Sequence, residues 1–496
     1  MSERPDALGA DEVRDRAVGG AAVLGARGAA VYALGIFANI ALARMLEPRD
    51  FGIVALGTTL LVLGTYVTNG GLGAALIRRE RAPDHTELAA VAGLQLAVAV
   101  ALALTGAAVA TLFGDDGLVV ALMLASLPIA VAKLPATITL DRRMLFRPIA
   151  VVDVLEALTF YVWALVAVAL GAGVWGVASA VIVRALVGAV AMVRLGPLGF
   201  VRPRWSWVHV RPLVALGTKL QANALVAMAR DQALNVVIAA VAGIATLGVW
   251  GLAYRILQVP LLIVTTAGRV SYTAMARLLE TAEDPRYALE RSAAALTIAM
   301  AVVLVALVGS APAALPALLG EGWEDVPATL LWASLGLLVS APVIVATMGY
   351  LFAVDRAGTV VSSTVWHTLV WLAVTTLLLP ELGAVAVGVG WVPGGLVAAA
   401  IVGRRTARLT GARLVRNLAL PVVVAAAAGA AGWLVAVSGP ETVPWGAVGL
   451  LTGELVLLAG LALAARRQLA DARALLARAI ARSRPRDPGT ASAPVA

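Results

Sequence analysis

Apolar stretches of about twenty residues, enough for a helix to cross about 30 Å of hydrocarbon, recur along all 496 residues of the chain. They show no alternation with period two, and lipid admits only helices or closed barrels. The runs therefore read as transmembrane helices, and the chain as an all-α polytopic membrane protein. Charge content agrees, since 14% of residues are charged, against about a quarter in a soluble protein. The absence of cysteine excludes a disulfide framework and thiolate metal sites.

About fourteen spans are expected, at 18–43, 51–76, 89–111, 117–140, 149–170, 174–193, 213–241, 248–275, 292–310, 327–352, 358–379, 384–403, 417–437 and 445–464. The expected organisation is a cytoplasmic N-terminus (1–17), an N-terminal bundle of spans 1–6 (18–205) and a C-terminal bundle of spans 7–12 (206–403). Spans 13–14 (404–465) and a basic, partly disordered tail (466–496) follow. With the N-terminus inside, the inner connections carry 29 Lys and Arg and the outer ones 2. That asymmetry is the positive-inside signal, and it places both termini in the cytoplasm of an inner-membrane protein. It also accounts for the net charge of +9 without nucleic acid as a partner. The arginine-rich tail reads as a surface helix at anionic headgroups, making membrane lipids an expected partner.

Three short echoes suggest an internal repeat. They are "DFGIVALG" (50–57) with "TLGVWGLA" (246–253), "LDRRMLF" (140–146) with "VDRAGTV" (354–360), and "GVWGVAS" (173–179) with "GAVAVGV" (383–389). All lie about 200 residues, or six spans, apart. An even number of spans gives a parallel repeat, a device of transporters that bind substrate near the midplane.

Seven cations fall within spans: Arg27, Lys133, Arg184, Lys219, Arg230, Arg255 and Arg269. At about 1.5 Å per residue, Lys133, Lys219 and Arg269 are near enough to a cytoplasmic end to snorkel. The other four are deeper, where a charge costs about 2.5–3.5 kcal/mol. Acids are scarcer: Asp153 and Glu156 near the start of span 5, Asp231 in span 7 and Glu454 in span 14. Asp231 follows Arg230 directly, and adjacent helical residues do not face each other. The surplus points to a water-filled, cationic cavity for an anion. Lys219, Asn223 and Arg230 share one stripe of span 7, and Arg255, Gln258, Thr265 and Arg269 one of span 8. In span 2, Thr65, Thr68, Asn69, Gly70, Gly71 and Gly73 form a polar, glycine-rich end that packs closely or bends.

The segments "LARMLEPRDFGIVALG", "NGGLGAALIRR", "GIATLGVWGLAYRILQVPL" and "GRVSYTAMARL" resemble polysaccharide flippases of the multidrug/oligosaccharidyl-lipid/polysaccharide exporter superfamily. Their WzxC-like branch of exopolysaccharide and teichuronic acid exporters is the most similar in pattern. The resemblance implies two pseudo-symmetric bundles in a V, and alternating access around a cationic cavity. The implied cargo is an oligosaccharide on a polyprenyl (pyro)phosphate. By position, Arg255 matches the arginine of the family's "LAYR" segment, Arg269 the one ending span 8, and Arg27 a cavity arginine of span 1. Leu234 stands where many relatives carry an aspartate, with Asp231 three residues earlier.

The expected substrate contacts are thus Arg27, Asn69, Lys219, Asn223, Arg230, Arg255 and Arg269, with Asp231 in gating or coupling. No cofactor and no catalytic residue is expected, and no Walker-type phosphate loop is present. Polysaccharide polymerases and glycosyltransferases are expected partners. The alternatives are a lipid II flippase, a drug/cation antiporter of the same superfamily, and a membrane glycosyltransferase or polymerase. The antiporter calls for acidic or aromatic walls, and the enzyme for a larger external loop than the sixteen residues at 311–326.

Overall fold

The computed structural model describes residues 27–28, 30–79, 81–280, 284–464 and 466. Some side chains inside helices lie outside the description, among them Lys219, Asn223, Arg230, Asp231 and Arg269. The described residues form helices and turns, and ten segments are long and apolar enough to cross a membrane. Two of these, His85–Val131 and Phe146–Leu195, run to 47 and 50 residues and each contain a helical break. The expected N-terminal acids and basic tail fall outside the described residues, apart from Arg466.

The helices cluster into two compact units. The first holds residues up to Ile256 together with Leu319–Trp323, and the second holds Leu257–Leu318 and the chain from Glu324. The chain crosses from one to the other inside a helix, whereas the sequence places the division between bundles at residue 205.

In the first unit, α1 (Ala30–Ala43) leads to α2 (Pro48–Asn69). The "LEPRDFG" stretch is the start signal of α2. Pro48 occupies its first turn, and the Asp50 carboxylate accepts from the Glu47 backbone N–H at 3.2 Å. Gly70 and Gly71 take left-handed angles (φ 49° and 71°), so α2 stops and α3 (Leu72–Arg78) restarts. These glycines bend the chain and also pack, since a Cβ on Gly71 would lie 2.1 Å from the Gly217 carbonyl oxygen.

Asp84 caps α4 (His85–Ala110) by accepting from the Glu87 N–H at 2.7 Å. The expected span 117–140 is three pieces: α5 (Gly114–Leu124), α6 (Ser126–Val131) and α7 (Leu134–Arg142). Pro135, in the first turn of α7, cannot continue the preceding helix, and the break leaves Lys133 at the head of α7. Next come α8 (Phe146–Ala167), a π turn (Val168–Ala172), α9 (Gly173–Leu195), α10 (Trp207–Ala242) and α11 (Ile244–Glu280).

The second unit continues from α11 with α12 (Pro285–Leu319), α13 (Asp325–Ala353), α14 (Ala357–Leu382), α15 (Val385–Thr410), α16 (Leu414–Val437) and α17 (Val443–Ala464). The external connection expected at 311–326 is mostly the end of α12, and only residues 320–324 link it to α13. Pro312 and Pro316 lie inside that helix, as membrane helices tolerate. Small residues let these helices approach closely. On α15, Gly388 meets α13, where an added Cβ would lie 2.6 Å from the Thr329 oxygen, and Gly394 meets Trp371 of α14. Gly309, Gly432 and Gly449 close α12, α16 and α17 on one another.

Each sequence echo has a backbone counterpart. A Cβ on Gly52 would lie 1.8 Å from the Ile244 oxygen, and one on Gly248 would lie 1.8 Å from the Pro48 oxygen. Each glycine thus meets the carbonyl four residues before the other, a reciprocal contact that relates the α1–α2 segment to the α10–α11 segment by a local two-fold at an offset of 196 residues. Gly173 and Gly383 both have φ 52°, with ψ −139° and −135°, and each opens the second helix of a hairpin. Their offset is 210.

The remaining echo needs a register correction. The sequence pairs Asp141 with Asp355 through their shared Asp-Arg, but the backbone pairs Met144 with Asp355, both at φ 55°. Each ends its helix the same way, with Leu145 N–H donating to Leu140 and Arg356 N–H to Leu351. Side-chain identity misleads here because the constraint is the left-handed helix stop. This offset is 211, and the π turn before Gly173 supplies the one extra residue.

Candidate functional site

A charge at membrane depth persists only when paired, hydrogen-bonded or wet, so the partners of the deep cations define the candidate site. In the first unit, α8 presents Asp153 and Glu156 three residues apart, hence on one face. Arg27, at the head of α1, pairs with Asp153 at 2.8 Å. Lys133 Nζ lies 2.5 Å from one Glu156 oxygen, and Arg184 Nε of α9 lies 3.5 Å from the other. Glu156 is 3% exposed. Gly188, one turn beyond Arg184, leaves it room: a Cβ there would lie 1.8 Å from Glu156 Oε1. Asp153 also lies in the field of Glu156, Lys133 and Arg184.

Lys133 therefore does not snorkel. The break before α7 turns it inward to Glu156, a carboxylate 23 residues away. Arg184, solitary in its span, finds its partner on the preceding helix.

Arg255 is held differently. Its guanidinium donates to the Asn39 side-chain oxygen and lies 5.7 Å from the centre of the Phe51 ring. Asn39 in turn donates to the Gly35 carbonyl at 2.6 Å, one turn back on α1. Phe51 packs edge-on against Trp323, and Trp323, 1% exposed, donates to the Ala43 carbonyl at 3.1 Å. Trp323 thus covers the junction of α1 and α2. Among the described residues no carboxylate pairs with Arg255.

The local two-fold shows where the asymmetry lies. At the offset of 196 residues, Asn39 corresponds to Asn235 and Arg255 to Thr59. Asn235 donates to the Thr59 hydroxyl at 3.0 Å, so both copies of the asparagine bond the facing helix, and only one of them bonds a cation. Asn223 takes the register of Arg27. Its side chain and those of Lys219, Arg230, Asp231 and Arg269 lie outside the described ones, so their expected roles rest on helix position alone. Leu234 is 4% exposed and packs as core. Asn69 ends α2 at the glycine break, away from the ion pairs of α8.

Of the expected contacts, the structure places Arg27 in an ion network with Lys133, Asp153, Glu156 and Arg184, and Arg255 in a separate group with Asn39 and Phe51, both within the first unit. Asp153 and Glu156 were visible as an i, i+3 acidic pair. Asn39 carried no signal beyond being polar within a span. In the network Arg27, Lys133 and Arg184 pair with Asp153 and Glu156, with Asp141 in the field of Asp153. Among these described groups Arg255 stands apart without a carboxylate, and no nucleophile–base constellation forms.

A family model for "Polysaccharide biosynthesis protein" matches residues 41–328, more than half of the chain. Among characterised proteins, the chain is similar to the succinoglycan biosynthesis transport protein ExoT of Rhizobium meliloti (strain 1021). The two are 28% identical over 306 residues, spanning 60% of this chain and 60% of that protein. Among solved structures it is similar to the lipid II flippase MurJ in an inward closed conformation. That likeness has a TM-score of 0.68 at 11% identity, over 90% of this chain and 99% of the other. It is also similar to an inward-facing MATE family multidrug resistance transporter of the MOP superfamily, with a TM-score of 0.53 at 20% identity over 78% and 94% of the two chains. The two structural likenesses are likenesses of fold. With its paired "LEPRDFG" and "LAYR" segments inside the matched region, the chain belongs to the polysaccharide biosynthesis protein family and has the all-helical fold of the MOP superfamily.

Proposed function

We propose that this protein moves a polyprenyl-(pyro)phosphate-linked oligosaccharide, the repeat unit of an exopolysaccharide, from the inner to the outer leaflet of the cytoplasmic membrane by alternating access. A deep cation held without a carboxylate among the described residues, Arg255, carries this reading. Among the described residues Arg27, Lys133 and Arg184 pair with Asp153 and Glu156, whereas Arg255 is held without a carboxylate, at a depth where an uncompensated charge costs about 2.5–3.5 kcal/mol. A phosphate group supplies the missing negative charge. Family membership and the succinoglycan relative support a glycan cargo, and the flippase named among the fold neighbours supports a lipid-linked one.

Arg255, held among the described residues by a neutral amide and a ring, is free to exchange its partner for phosphate. The ion pairs of Arg27, Lys133 and Arg184 form a reserve that re-pairs as cargo passes. Arg230 attracts the phosphate from α10, Asp231 balances or gates it, and Asn69, Lys219, Asn223 and Arg269 extend the polar path. Both termini lie in the cytoplasm, and glycosyltransferases and a polymerase supply and consume the cargo.

The test is flipping of a fluorescent polyprenyl-pyrophosphate oligosaccharide in proteoliposomes, read by an impermeant quencher. Loss of a charge-assisted bond of about 1.5–3 kcal/mol slows Arg255→Ala about tenfold or more. Wild-type rates in both Arg255→Ala and Arg230→Ala contradict the proposal. The MurJ-like fold gives one second reading, a peptidoglycan-precursor flippase, and preferential movement of lipid II in the same assay selects it.

A further inference from the structure

The second unit holds its own concentration of unpaired positive charge, at the junction of α15 and α16. Gly411 (φ 70°) ends α15, and only residues 411–413 separate it from α16. This tight connection gathers Arg404, Arg413 and Arg416 at the mouth of a cavity of about 510 Å³ between α13, α15 and α16. Below the arginines the walls are apolar, formed by Leu338, Leu396, Ala400, Leu418 and Val422 among others. All three arginines are exposed, and none makes an ion pair among the described residues.

Glu290, a carboxylate bonded at this junction among the described residues, is already occupied. Glu290 Oε1 accepts from the Arg413 backbone N–H at 2.7 Å and from Arg286 Nε at 3.3 Å. No side chain caps the N-terminus of α16, whose free N–H groups add positive potential at the same point. The volume falls in the range of about 300–1,000 Å³ typical of ligand sites.

A cationic mouth over an apolar trough fits an amphiphile with an anionic head. We infer that the second unit carries a resident site for an anionic phospholipid, its headgroup phosphate on Arg404, Arg413 and Arg416 and one acyl chain in the trough. Size separates this ligand from the transport cargo: the trough has the volume of a single acyl chain, and a polyprenyl tail is several times longer. The charge bias puts the 403–416 connection on the cytoplasmic side, where the leaflet is rich in anionic lipid. The inference does not rest on the transport reading, because the site lies wholly in the second unit.

Thermal unfolding of the purified full chain in neutral detergent tests it, with dioleoyl phosphatidylglycerol, dioleoyl phosphatidylcholine or a polyprenyl phosphate added. A ligand bound only by the folded state raises the midpoint. Phosphatidylglycerol raises it by a few degrees, and phosphatidylcholine does not. The shift disappears in Arg404→Gln/Arg413→Gln/Arg416→Gln and in Ala400→Phe, which fills the trough. It persists in Arg147→Gln/Arg202→Gln/Arg211→Gln, which removes three exposed arginines elsewhere. Because the three mouth arginines are exposed, their variant unfolds at the wild-type midpoint without lipid. Equal shifts from both phospholipids, or a shift retained in the mouth variant, overturn the inference. Stabilisation by polyprenyl phosphate alone also overturns it and gives the trough to the cargo.

Discussion

Hairpin α8–α9 in the first unit and hairpin α14–α15 in the second turn on the same glycine conformation, at Gly173 and Gly383, and follow the same left-handed helix stop, at Met144 and Asp355. Before the π turn the offset of 211 sets Lys133 against Ile344 and Glu156 against His367. After it the offset of 210 sets Arg184 against Gly394 and Gly188 against Ala398. Where Glu156 and Arg184 form an ion pair, the second copy brings α14 and α15 into backbone contact: a Cβ on Gly394 would lie 3.0 Å from the His367 carbonyl oxygen. Trp371 completes that neutral packing by donating to the Val387 carbonyl at 2.9 Å and stacking near Trp391. One scaffold therefore holds with charge and without it. The ion pairs of the first unit are thus not reproduced among the described residues of the matching hairpin, which is why the proposed function assigns them to cargo.

Removing one member of a buried ion network strands the others at a cost of about 3–5 kcal/mol. Glu156→Ala is accordingly the most damaging single change, because it leaves Lys133 and Arg184 without their carboxylate. His367→Ala, at the matching position, costs far less, and thermal unfolding of the two side by side measures the difference. Equal losses would mean that the two copies are stabilised alike.

Next in size are Gly52→Ala and Gly248→Ala. Each puts a Cβ 1.8 Å from a backbone oxygen of the facing helix, an overpacking worth about 1–3 kcal/mol. The local two-fold makes the two losses similar. Both changes push the same helices apart, so the double variant loses less than the sum. Additive losses would break the reciprocity of the contact.

The smallest effects separate the two asparagines. Asn39→Ala and Asn235→Ala each lose about 1 kcal/mol for a buried hydrogen bond. Only Asn39→Ala slows flipping, because its partner is Arg255 and that of Asn235 is Thr59. Equal flipping rates would erase the functional asymmetry.

The membrane class, the family and the presence of deep cations were legible because each is a property of composition or of contiguous residues. Apolar runs announce spans, and a cation inside one announces a cost. The pairing was not legible. Lys133 reaches Glu156 only because the chain breaks before Pro135, and an uninterrupted span 4 would send it toward the headgroups. Arg184 looked solitary because its acid lies on the helix before it. The connection expected at 311–326 is shorter still, because the membrane lets Pro312 and Pro316 continue α12. The echo at Met144 and Asp355 was detected but misaligned, since left-handed φ is a backbone property that the Asp-Arg identity does not encode. In α17 the spacing of Gly446, Gly449 and Gly453, all buried, is a readable packing face.

The central claim is that the charge cluster of the first unit serves cargo rather than fold, and the variant Lys133→Met/Glu156→Leu/Arg184→Leu tests it most directly. Replacing a buried ion network as a whole by apolar residues is often neutral or stabilising by about 1–4 kcal/mol. The paired measurement is its unfolding midpoint and its flipping rate in the same preparation. The account predicts a midpoint at or above that of the wild type, with flipping lost. A variant that unfolds normally and still flips its cargo at the wild-type rate would contradict it.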